Sequence, residues 1–199
     1  MNNDSFDKQE KILLAALEDV PFDGWSWSVV EDAAIKVGYD KAMAQAVFPE
    51  KLEDVLRFFS FWADQKMVEE LEKIDTANMG VRERVETAVI KRFKVLEPYK
   101  ESVRAKSVYW LSPFRKIAAA KIIWTTSDVI WEWAGDQATD YNRYTKRGLL
   151  SGVLVSTSVA WLNDTSDNHQ ETLAFLERRL DNVLKVGKFI GKFKSRQAS

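Results

Sequence analysis

The chain has 199 residues, 46% of them apolar and eight of them Trp, so it can bury a sizeable core and is not disordered throughout. Cys is absent, which excludes disulfides, thiolate metal sites and a cysteine nucleophile. The 29 basic and 30 acidic residues nearly cancel, so net charge singles out no partner, while four Pro and eight Gly leave room for long helices.

The first helix is predicted from about Ser5 to Val20, with Ile12, Leu13, Ala16, Leu17 and Val20 on one face and Pro21, Asp23 and Gly24 closing it. Ser28 with Glu31 reads as a capping box for a second helix that Gly38 ends. Asp40 caps a short third helix from Lys41 to Val47. Pro49 suits the first turn of a fourth, which carries Leu52, Val55, Leu56, Phe59 and Trp62 into the 70s. Two short helices joined by a Gly turn after a longer one form a helix-turn-helix. Further helices are expected over about 80–96, 98–110, 113–135, 140–163 and 167–186, with a separate final segment to about 196; Pro98, Pro113, Gly135 and Asn163 to Asn168 mark the breaks.

Charge is uneven along this chain. Residues 1–66 hold seven Lys/Arg against thirteen Asp/Glu, whereas 67–199 hold 22 against 17, which suggests a boundary near residue 66 and different partners on either side. The longest uncharged run, the sixteen residues between Arg147 and Asp164, is shorter than the roughly 20 apolar residues of a membrane span and contains two Gly and three Ser. The N-terminus MNNDSFDKQEK lacks both an apolar signal core and an Arg-rich transit character, so the chain as it stands reads as soluble and unexported.

The stretch DVIWEWAGDQATDYNRYTKRGLLSGVLVSTSVAWLNDTS, followed by TLAFLERRLDNVLKVGK, resembles the coenzyme-Q-nine family, accessory proteins of ubiquinone biosynthesis. The spacing over residues 10–56, with VGYD at the turn and VFPEKLEDVL after it, resembles the N-terminal half of TetR-type regulators. The resemblance implies an all-α, TetR-like homodimer paired through its last long helices. It also implies that the C-terminal part binds an isoprenoid quinone or other lipid and presents it to a di-iron hydroxylase. The chain departs from the family at Arg143, where an aromatic residue is usual.

Each candidate has a plainer reading. The helix-turn-helix invites DNA, but a duplex binder needs cations against the phosphates. Its segment Asp40 to Phe48 offers Lys41 beside Asp40, and only Gln45 suits a base edge. A scaffold that does not bind nucleic acid is therefore expected, with a ligand-responsive TetR-type regulator as the alternative. In residues 140–163, Gly148, Gly152 and Ser156 recur every fourth residue, so a backbone or a ligand chain can approach closely. A tightly packed core accounts for this equally well; the family resemblance favours a lipid site formed by Trp124, Trp131, Leu149, Gly152, Val153, Ser156 and Trp161. Asp140, Asn142, Arg143, Tyr144, Lys146 and Arg147 form either a solvated helix entrance, with Asp140 as cap, or a partner-docking surface.

His169 is the sole His, so a multi-His metal site is excluded, and neither a phosphate loop nor a nucleophile motif is present. The reading is a binding protein without catalytic residues, metal or cofactor. The last seventeen residues carry five Lys/Arg and no acid. On a helical wheel Val183, Val186, Phe189, Ile190 and Phe193 share a sector about 120° wide, with Lys188 and Lys192 opposite. Lys188, Phe189, Ile190, Lys192 and Phe193 are thus expected on an anionic membrane surface. That places the protein in the cytoplasm as a peripheral protein of the inner membrane face, or on the matrix side in a mitochondrion.

Overall fold

The computed structural model describes the backbone of residues 3–136 and 141–197 and the side chains of 4–136 and 142–183. Regular structure among these residues is helical throughout. The helices are α1 (Asn3–Asp23), α2 (Trp27–Lys36), α3 (Lys41–Val47), α4 (Leu52–Leu71), α5 (Val81–Leu96), α6 (Lys100–Trp110), α7 (Lys116–Trp133), α8 (Tyr141–Asn163) and α9 (Gln170–Gln197). The chain divides into two compact units, Met1–Glu69 with Arg92–Ile122, and Glu70–Lys91 with Ile123–Ser199.

In the first unit the expected face of α1 is the buried one: Ile12, Leu13 and Ala16 are fully enclosed, and Leu17 and Val20 nearly so. The helix runs on through Pro21, because a proline this close to the end forfeits only the bond to the Leu17 carbonyl. Gly24, at φ +70°, closes it with its N–H on the Val20 carbonyl. The cap of α2 is Ser26, two residues before the expected Ser28; its hydroxyl accepts the Val29 N–H. Glu31 instead accepts from the Trp27 indole at 2.9 Å. Gly38, at φ +85°, ends α2 with two reverse bonds, Tyr39 N–H to Ala34 and Gly38 N–H to Ile35.

Asp40 caps α3 as expected, accepting the Met43 N–H at 2.7 Å. Pro49 lies in the turn before α4 rather than inside its first turn. That turn needs Lys51 at positive φ, and the Gln45 amide donates to the Pro49 carbonyl at 2.9 Å. Rings of Phe48, Phe58, Phe59, Trp62 and Tyr99 pack edge-on or tilted, with centroids 5.6–6.3 Å apart. The Trp25 indole donates to the Ser102 carbonyl, which ties α6 to the module.

In the second unit the core is formed by Leu71, Val85, Ala88, Val89, Ile130 and Leu150, with Val153, Trp161, Leu176 and Leu180. In the first unit, Pro98 and Pro113 each open a short 3₁₀ turn ahead of α6 and α7 instead of starting the helix proper. The expected division near residue 186 is absent: α9 runs unbroken through Gly187 and Gly191 to Gln197. Asp164 joins α8 to α9 by accepting the N–H and hydroxyl of Ser166 and of Thr172 at 2.5–2.8 Å. Its burial opposes ionisation, but these four bonds prevail and hold the carboxyl well below its ordinary range.

Polar groups also lie deep in the first unit. Asp64, 2% exposed, accepts from the Arg92 guanidinium at 2.7 Å, and the Lys106 ammonium donates to the Ser60 hydroxyl at 2.9 Å over the Phe59 ring. Burial, then the nearby Arg92 charge, pushes the Lys106 ammonium down to about 7, with Asp64 pulling the other way. Because the folded value lies below the unfolded one, the unfolded chain holds more protons between about pH 7 and pH 10. Stability is expected to rise with pH across that window and to be lowest below it. Lys106→Met should flatten the slope and raise stability most at the acid end; urea unfolding of both proteins at several pH values between about 6 and 9.5 checks this.

Candidate functional site

The junction of α7 and α8 carries most of the nominated groups. α7 ends on Gly135, at φ +84°, with the Asp136 N–H returning to the Trp131 carbonyl. This places Asp136, whose side chain is 3% exposed, against the start of α8. Arg147 lies between two carboxylates: its Nε donates to Asp128, and one terminal nitrogen donates to Asp136 at 3.0 Å and to the Arg143 carbonyl at 3.3 Å. Desolvation works against this guanidinium charge, but the bonds to Asp128 and Asp136 outweigh it and keep Arg147 above its ordinary value. Lys146 donates to Asp136 at 2.6 Å and lies 5.4 Å from the Trp131 ring. Arg143 reaches Asp128 at 3.3 Å, and the Ser127 and Ser151 hydroxyls meet at 3.0 Å.

The six residues expected at a docking surface therefore divide. Arg147, at 4% exposure, lies beneath the surface as a clamp rather than on it. Asn142, Arg143 and Tyr144 are exposed, and the Tyr144 ring stands 6.2 Å from that of Trp124. Asp140 is outside the described residues.

The seven residues expected to form one lipid site also divide: two lie on α7, and the five on α8 are spread over opposite faces of that helix. Val153 and Trp161 are buried, and Leu149 and Ser156 are half-buried. Gly152 is exposed, and a Cβ added there or at Gly148 would meet nothing within 4 Å. Among the described residues the Gly148–Gly152 part of the stripe thus packs against nothing, and the open face continues into Val155 and Val159, 47% and 57% exposed. Nine residues of α-helix separate Gly152 from Trp161, a rotation of about 900°, so the two point in opposite directions. Trp124 and Trp131 are half-buried on α7, and among the described residues the Trp131 indole N–H on α7 and the Thr157 hydroxyl on α8 are buried without a hydrogen-bond partner.

Sequence reasoning missed an open groove of about 440 Å³ between the end of α8 and the start of α9, bordered by Asn163, Asp164, Glu171, Phe175 and Arg178. No residue nominated for lipid lines it. Among the described residues no three His, Asp or Glu side chains come together to hold a metal, and no helix is long and apolar enough to cross a membrane. The side chains of Lys188, Phe189, Ile190, Lys192 and Phe193 lie outside the described residues.

Residues 117–187 match the COQ9 family model. The human protein named "Ubiquinone biosynthesis protein COQ9, mitochondrial" is 31% identical over 196 residues, 94% of this chain and 61% of that protein. A Drosophila melanogaster protein of the same name is 28% identical over 180 residues, 88% of this chain and 55% of its own. The resemblance to the coenzyme-Q-nine family is thereby shown. The chain spans about three fifths of the length of the curated COQ9 relatives it matches. Among solved structures, a TetR transcriptional regulator from Nitrosomonas europaea superposes with a TM-score of 0.71 at 19% identity, covering 88% of this chain and 97% of that one. The fold is all-α and TetR-like. The COQ9 match takes in α8 entire, with the Arg147 clamp, the exposed Tyr144 and the outward stripe.

Arg147→Ala should leave Asp136 with Lys146 but without its buried guanidinium partner, and cost about 1–3 kcal/mol of folding stability. Tyr144→Ala, on the surface, should shift stability by less than about 1 kcal/mol. Denaturant unfolding of the two variants beside the parent checks both values.

Proposed function

We propose that this chain serves ubiquinone biosynthesis as a non-enzymatic, lipid-binding accessory protein that holds an isoprenoid quinone intermediate and presents it to a di-iron hydroxylase. The observation that carries the reading is likeness over 94% of the chain to proteins named for ubiquinone biosynthesis. The Trp131 indole N–H supports it, being among the described residues a buried donor without an acceptor, which a quinone carbonyl oxygen would satisfy. Residues 1–66 are proposed as a helix-turn-helix module that does not bind DNA, and 67–199 as the lipid-binding and dimerising part. Within the first of these, Lys41 is already paired to Glu31 and Gln45 to the Pro49 carbonyl, which leaves little for a duplex. Tight binding to a duplex at low salt would favour the TetR-type regulator instead.

A second copy is the proposed partner of the outward α8 stripe, and the exposed Tyr144 edge the proposed contact for the hydroxylase. The C-terminal segment with Lys188, Phe189, Ile190, Lys192 and Phe193 is proposed to hold the protein on the inner membrane face, the matrix side in a mitochondrion.

Organic extraction of the purified protein followed by mass spectrometry should yield an isoprenoid quinone or its precursor; extracts indistinguishable from those of an unrelated helical protein would refute the lipid role. A Cβ added at Gly152 meets nothing within 4 Å among the described residues, so Gly152→Leu extends from an open face. It should therefore leave folding intact while weakening self-association about tenfold through overpacking at the stripe, as read by analytical ultracentrifugation. Tyr144→Ala should reduce capture of the hydroxylase while leaving bound lipid and thermal stability unchanged.

A further inference from the structure

The turn between α6 and α7, within the first unit, faces outward with its apolar side chains. Val108 is 66% exposed, Leu111 74%, Phe114 97% and Ile117 75%. Isolated exposed apolar residues are ordinary, but four within ten residues form a patch of the kind that marks an interaction site. The backbone holds them there. The Leu111 N–H returns to the Val108 carbonyl at 3.2 Å, which aligns that pair on the end of α6. Pro113 then opens a 3₁₀ turn closed by the Arg115 N–H on the Ser112 carbonyl, and Phe114 and Ile117 follow at helical spacing.

The charge around this tip is of one sign. From Ser102 to Ser127 the chain holds no Asp or Glu; Lys106 is buried in the core and Arg104 is paired to Glu101, which leaves Arg115, Lys116 and Lys121 as the cations of the tip and the start of α7. Arg115 is fixed at the tip: its guanidinium lies 3.8 Å from the centre of the Tyr109 ring and donates to the Tyr109 carbonyl. Lys116 beside it is exposed. Apolar side chains at an apex beside cations suit an anionic lipid surface, with Phe114 at the acyl boundary and Arg115 and Lys116 among the phosphates. A second copy is a poorer occupant, because pairing two tips would bring two acid-free segments together.

We propose that the α6–α7 tip inserts into the surface of an anionic membrane, as a contact separate from the C-terminal segment. Because the chain has no Cys, a single Ser112→Cys substitution carries an environment-sensitive fluorophore to the tip of the full chain. The Ser112 side chain makes no capping bond, so nothing structural is lost. With vesicles of phosphatidylcholine and phosphatidylglycerol the label should shift to the blue and be quenched by brominated acyl chains. Phosphatidylcholine alone should produce neither change, and a label at the exposed Glu18→Cys on α1 should stay silent. Adding Phe114→Asp to the tip-labelled chain should weaken vesicle affinity about tenfold or more. Phe114 is almost fully exposed, so the substitution leaves the core untouched.

A silent tip label on protein that still sediments with anionic vesicles would overturn the proposal and leave membrane binding by the C-terminal segment standing. A blue shift produced by raising protein concentration without vesicles would assign the tip to a second copy and overturn it equally. Absence of any sedimentation would sink both membrane contacts together.

Discussion

The arrangement of the second unit depends on one buried charge, that of Arg147. Its guanidinium donates to a carboxylate within α7, Asp128, and to one just past the end of that helix, Asp136. Together these two bonds fix the end of α7 against the first turns of α8. Lys146 and Arg143 attach to the same two carboxylates from outside, so one acidic pair organises three cations. A clamp of this sort gains little net stability against an apolar equivalent, yet removing one partner is costly. It sets α8 in one position, with Tyr144 beside Trp124 at the surface and Val153 and Trp161 in the core.

The first unit has its own buried ionic group, and its weak point is Lys106. Asp64 and Arg92 hold each other at 2.7 Å, whereas the Lys106 ammonium donates to one hydroxyl over the Phe59 ring and feels the Arg92 charge. The module in front of it has the geometry of a helix-turn-helix, with five of the seven Lys and Arg of residues 1–66 engaged by carboxylates. Lys8, Lys36, Lys41, Arg57 and Lys66 are each within 3.2 Å of a carboxylate. Cations neutralised in this way have few counterions to release from a phosphate backbone. The helices keep their packing because the apolar face of α1 and the caps Ser26 and Asp40 are indifferent to what the outer face binds.

Local signals were legible wherever local chemistry decides. Asp40 as a cap, Gly38 and Gly135 as terminators and the apolar face of α1 were all readable from neighbours a few residues away. The Ser26 cap was not, because Glu31 three residues after Ser28 points to Ser28, whereas in the fold Glu31 is drawn off by the Trp27 indole. Nor was the exterior position of Pro49, which depends on Lys51 accepting positive φ. At the candidate site the residue types were legible but their facing was not. A Gly-x₃-Gly-x₃-Ser stripe looks the same in sequence whether it meets a neighbouring helix or open space. Arg147 looked like surface because nothing nearby in sequence announces that Asp128 and Asp136 close over it.

α8 carries three different surfaces on one cylinder, and the helical period keeps them apart. Leu150, Val153, Leu154, Thr157 and Trp161 lie on the core side at intervals of three, one, three and four. Gly148, Gly152, Val155 and Val159 lie on the outside at intervals of four, three and four. The first turns carry the ionic cluster. A side chain enlarged on the outer face therefore changes what can seat there without disturbing the core, whereas one changed at Arg147 releases both. The exposed apolar residues of α8 follow from this division: an inner face large enough to fix the helix leaves an outer one free to be specified by a partner alone.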